Sequence, residues 1–80
     1  MNEWLQDAAE RIASETGDDP DGLRLAPDEV DELLELARIA AHESGERINA
    51  PLVCYLVGLA RGRRGGALPD VVDAVVGKRP

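Results

Sequence analysis

Pro51-Leu52-Val53-Cys54-Tyr55-Leu56-Val57-Gly58-Leu59-Ala60-Arg61 carries no charge before its last residue. A helix that is apolar on every face is enclosed by the rest of its protein. Eleven residues are too few to cross a bilayer as a helix, which takes roughly 20 apolar residues. The stretch therefore reads as the central helix, about residues 51–61, of a small all-α four-helix bundle. The other apolar stripes then become walls packed around it. Gly58 inside this helix costs up to about 1 kcal/mol relative to alanine, which predicts a close contact with another helix there.

Outward from this stretch, the chain of 80 residues reads as a single helical domain over 1–80. A chain of this size buries only roughly 60 to 65% of its unfolded surface, so its core is small. Trp4 and Tyr55 are its only aromatic residues, leaving Leu, Val, Ile and Ala to fill the interior. One cysteine excludes an internal disulfide and most zinc schemes. Met1-Asn2-Glu3-Trp4 has neither a basic start nor an apolar run, so no signal peptide is expected, the cytoplasm is the expected location and no membrane partner is expected.

The net charge is −7. Nucleic acid is not the expected partner, since its binding begins with cations neutralising phosphates. The distribution says more than the sum. Up to Glu46 there are three Arg against fourteen Asp and Glu, whereas from Arg47 onward six Lys and Arg face Asp70 and Asp73, or −11 followed by +4. The two halves can pair internally or show opposite signs to different partners.

Asn2 is the expected N-cap of a first helix over about 3–15. Trp4, Leu5, Ala8, Ala9 and Ile12 make its apolar face, anchored by Trp4, and Gly17 ends it. Thr16 to Leu25 is a polar loop with Leu23 and Leu25 as attachment points. Its three aspartates suggest calcium by analogy, but no Glu closes the loop at the EF-hand offset, so a solvated loop is expected.

Pro27 followed by Asp28 and Glu29 opens a second helix over 27–44. Val30, Leu33, Leu34, Ala37, Ala40 and Ala41 give its apolar set, and Gly45 its left-handed stop. The central helix runs over 51–62. Leu68-Pro69-Asp70 opens a last helix over 69–76 whose apolar set is Val71, Val72, Ala74, Val75 and Val76. Valine suits a strand better, yet a strand there would have no partner in the chain. Gly77-Lys78-Arg79-Pro80 reads as a frayed tail.

No residue set carries a recognisable reaction. His42 stands alone near the end of the second helix, where an imidazole can bond the last carbonyls or meet the negative end of the dipole. Cys54 lies in the most apolar stretch and reads as inert core rather than as nucleophile or ligand. A catalytic dyad needs a base oriented by a third group, and there is no second histidine. Gly62-Arg63-Arg64-Gly65-Gly66 is basic and glycine-rich, but it follows a helix, whereas phosphate loops precede one. It reads as a helix terminus with a concentration of positive charge.

Leu33-Leu34-Glu35-Leu36-Ala37-Arg38, Ala41-His42, Arg47, Ala50-Pro51-Leu52 and Tyr55-Leu56-Val57-Gly58-Leu59-Ala60, with the opening Trp4-Leu5, resemble a small actinobacterial domain of unknown function. That domain is found alone or joined to the C-terminus of molybdenum-cofactor guanylyltransferase. The resemblance covers roughly Leu33 to Gly66. It implies an all-helical module linked to molybdenum-cofactor maturation or molybdoenzyme assembly, and it supplies no catalytic residues.

The expected function is thus a non-catalytic interaction or accessory module, not an enzyme and without a cofactor. Its expected partner is the guanylyltransferase or another molybdoenzyme assembly protein. The contact residues expected are Arg61, Arg63 and Arg64, with Arg47 and His42. The alternative is a small domain in which the same residues hold an anionic nucleotide or a pterin phosphate.

Overall fold

The computed structural model describes residues 1–77, so Lys78, Arg79 and Pro80 of the tail expected to fray lie outside the described residues. Its α-helices are α1 (Glu3–Thr16), α2 (Pro27–Ser44), α3 (Asn49–Arg64) and α4 (Leu68–Val76). Among the described residues a single 3₁₀ turn, Pro20–Leu23, completes the regular structure and no strand occurs. The class is all-α, as the residue pattern requires. The central helix is longer than expected, beginning two residues before 51 and ending two after 62. The chain divides into two compact units, Met1–Val30 and the residues from Asp31 onward.

In the first unit, Asn2 caps α1 as its side chain allows: the Oδ1 accepts the Leu5 N–H at 2.9 Å. At the other end Gly17 takes a φ of 81°, and its N–H donates to the Ala13 carbonyl at 2.8 Å. That conformation is open to glycine at little cost. Ala9 and Ala13, one turn apart, are the buried residues of this helix. Trp4 is not the anchor expected, because 71% of it is exposed. Small side chains allow the 3₁₀ turn to pack closely on α1, and Leu23 and Leu25 are half-buried.

The three aspartates of the loop serve the turn itself. Asp18 accepts the Thr16 hydroxyl at 2.6 Å, Asp19 accepts the Asp21 N–H at 3.0 Å, and Asp21 pairs with Arg24 at 3.3 Å. These bonds satisfy backbone and side-chain groups that a polar loop would otherwise leave to water.

The α2 helix opens with half of a capping box. Glu29 Oε1 accepts the Ala26 N–H at 2.9 Å. In the second unit the core is Leu36 of α2, Val57 of α3, and Leu68 and Val72 of α4. Leu33, Val53, Cys54, Val71 and Val76 pack around it. The α3 and α4 helices meet directly. The expected apolar set of α2 omitted Leu36, which is fully buried, and included Leu34, which is 64% exposed. Leu33, Leu34, Leu36, Ala37, Ile39, Ala40 and Ala41 are all apolar, so two overlapping stripes satisfy the helical period and only packing chooses between them.

The expectation that α3 is enclosed is corrected by the structure. Val57 is its one buried residue, while Leu52, Tyr55, Leu56 and Leu59 are exposed. The physical reason is that α3 carries two apolar stripes on opposite sides. Val53, Cys54 and Val57 face the core of the second unit, and the other stripe faces away from it. Gly58 makes no close helix contact either, since a Cβ built there meets nothing within 4 Å.

Candidate interaction surface

Leu52, Tyr55, Leu56 and Leu59 recur at i, i+3, i+4 and i+7, which places them along one side of α3. Their exposures are 58, 69, 60 and 44%. Ile48, one turn before Leu52 and 65% exposed, extends the row at its start. Arg63, one turn after Leu59, ends it with a positive charge. Scattered exposed leucines are ordinary on a folded surface, whereas these form a continuous apolar row edged by charge.

The basic end of the row is built by the helix terminus. Gly65 and Gly66 have φ of 76° and 102°, values that leave a side chain little room, and the Gly65 N–H donates to the Arg61 carbonyl at 2.7 Å. Arg61 is half-buried, and its Nε donates to the Gly66 carbonyl at 3.2 Å. Arg61 thereby fastens the turn to the helix, whereas Arg63 and Arg64 are exposed. Of the three arginines expected to meet a partner, these two are presented to solvent.

His42 lies exposed in the last turn of α2, and Arg47 lies exposed in the turn before α3. Two clefts occur in the first unit: an apolar one of about 260 Å³ formed by Met1, Leu5, Ala8, Ala9, Ile12, Leu23 and Leu25, and a polar one of about 130 Å³ that includes Glu10, Asp21 and Arg24. Neither is lined by His42, Arg47 or the arginines of α3. Among the described residues no group of three His, Cys, Asp or Glu side chains is placed to hold a metal ion. No described helix is long and apolar enough to cross a membrane.

Cys54 sits on the inner side of α3, half-buried, with its Sγ 3.9 Å from the Leu33 carbonyl oxygen, to which the thiol can donate. Burial pushes this thiol above its ordinary pKa, so the nucleophilic thiolate is disfavoured. On α2, Arg38 holds Glu35 through two bonds, Nη2 to Oε1 at 2.6 Å and Nε to Oε2 at 3.1 Å. The carboxylate raises the guanidinium pKa.

The outer row on α3 was missed as a surface by sequence reasoning. The signal was present in its spacing, because Leu52, Tyr55, Leu56 and Leu59 already form a complete stripe that Val53, Cys54 and Val57 do not share. No curated protein and no solved structure matches the chain. Residues 1–78 match a family described as a domain of unknown function, DUF6457, and the chain belongs to that family.

Proposed function

We propose that the chain is a non-catalytic helical interaction module that docks on another protein through the outer side of α3. The observation that carries this reading is the exposed row Leu52, Tyr55, Leu56 and Leu59 running into Arg63. An apolar row supplies the area that association buries, and the arginines supply orientation and a faster encounter with an acidic surface.

The molybdenum link rests on the resemblance to the actinobacterial domain joined to molybdenum-cofactor guanylyltransferase. That enzyme, or another molybdoenzyme assembly protein, is accordingly the partner to test first. The test is association of the chain with the guanylyltransferase at low and at physiological salt, comparing the native chain with the double variant Arg63→Glu, Arg64→Glu. Slower association of the variant, with the difference shrinking as salt rises, supports the reading. Equal association of the two chains overturns the role given to the arginines, and absence of binding by the native chain overturns the choice of partner.

A further inference from the structure

We propose that the apolar cleft of the first unit, between α1 and residues 23–25, is a second docking site, and that it takes a basic amphipathic segment of a partner protein. Leu5, Ala8 and Ile12 of α1 form one side of the cleft, and Leu23 and Leu25 the other. Its volume is about 260 Å³, below the roughly 300 to 1,000 Å³ of sites that enclose a small molecule. It therefore admits apolar side chains of a protein segment rather than a whole ligand. Apolar surface continues past the cleft, because Ile12 is exposed and so is Trp4, one turn before Ala8.

Charge selects the occupant. The unit Met1–Val30 carries nine Asp and Glu against Arg11 and Arg24. Arg24 is committed to Asp21 at 3.3 Å, and Arg11 lies four residues after Asp7 and four before Glu15, which outnumber it. Glu15, one turn after Ile12, ends the row of Leu5, Ala8 and Ile12. On the opposite border, Glu10 lines the polar cleft of about 130 Å³, which shares Met1 and Ala9 with the apolar one. Glu10 and Glu15 are both exposed, and among the described residues neither carboxylate has a hydrogen-bond or ion-pair partner. An acidic segment or a nucleic acid would meet like charge here. A cationic segment with apolar residues at helical spacing seats those residues in the cleft and brings Lys or Arg to Glu10 and Glu15. The row on α3 ends instead at Arg63, so the two faces call for partners of opposite charge.

The test follows the emission of Trp4, the single tryptophan, as a synthetic amphipathic helix of leucine and lysine is added to the full chain. The same peptide with glutamate in place of lysine is the counterpart. The lysine peptide is expected to shift the emission to the blue and to shield Trp4 from acrylamide, saturably, and the glutamate peptide to do neither. The double variant Glu10→Gln, Glu15→Gln is expected to bind the lysine peptide several-fold more weakly at low salt, with the difference shrinking as salt rises. Ile12→Asn is expected to lose the shift at native helix content, whereas Leu56→Asn on α3 keeps it. If Ile12→Asn loses helix content, the double variant, changed only at exposed positions, decides. No shift with the lysine peptide overturns the proposal, as does an equal response to the two peptides or an equal affinity of the native chain and the double variant. Loss of the shift in Leu56→Asn but not in Ile12→Asn moves the site to α3 and also overturns it. An emission that shifts with chain concentration alone, as the mass rises above 8.6 kDa, makes a second copy the occupant and contradicts the basic partner.

Discussion

The Sγ of Cys54 on α3 stands 3.9 Å from the Leu33 carbonyl oxygen on α2, and this places one side of α3 against α2 and turns the other away. Cys54, Val53 and Val57 go inward together because they share that side. Leu52, Tyr55, Leu56 and Leu59 are then left facing outward by the helical period alone.

The half-buried thiol gives a pH prediction. Burial raises its folded pKa, so the unfolded chain ionises Cys54 at lower pH than the folded chain. This group therefore leaves stability unchanged below the ordinary thiol range and subtracts from it as pH climbs through that range toward the folded value. Alkylation by iodoacetamide should accordingly be slower in the folded domain than in denatured chain at the same pH, and denaturation midpoints should fall at alkaline pH. Replacing Cys54 with Ala should remove its part of the alkaline fall.

Two neighbouring leucines of α2 should behave oppositely. Leu36 is fully buried and Leu34 is 64% exposed. Leu36→Ala is expected to cost about 2 to 5 kcal/mol, through lost burial and the cavity left behind. Leu34→Ala should stay within about 0.5 kcal/mol of the native chain. Urea denaturation of both variants checks the assignment, and equal losses would contradict it.

Gly58 offers a prediction of the opposite sign from a packed glycine. Open space surrounds the position of its missing Cβ. Gly58→Ala should therefore stabilise the domain by up to about 1 kcal/mol through helix propensity. Gly17 is the contrasting case, because its φ of 81° disfavours any Cβ. Gly17→Ala should destabilise by about 1 to 2 kcal/mol. Thermal melts of the two variants should move in opposite directions.

The helices, and the ends of α1 and α2 more closely than those of α3, were legible in the residues because they depend on local chemistry. Asn2, Gly17, Pro27 and Gly45 act on the backbone within a turn of themselves, and each marks an end that the structure has. Burial was less legible. Wherever apolar residues cover more than one side of a helix, as at Leu33 to Ala41 and at Leu52 to Leu59, the period fits two stripes and the choice is made by what packs against them. Trp4 misled for a related reason: size suggested an anchor, but the close packing of the 3₁₀ turn on α1 favours the small side chains of Ala9 and Ala13. Arg61, Arg63 and Arg64 were candidate contacts because of their concentration at one helix end, which is local and legible. The bond from Arg61 to Gly66 depends on a turn whose geometry no single residue dictates.

Docking through α3 requires that the helix have an outer apolar side, and the thermal melt of Leu56→Asp tests this most directly. Leu56 is 60% exposed. An aspartate there stays hydrated, so the variant should unfold cooperatively with the helix content of the native chain. A buried carboxylate without a partner would cost more than a domain of this size can lose. Cooperative melting of Leu56→Asp is the result expected, and a variant without a cooperative transition would show that this side of α3 is enclosed.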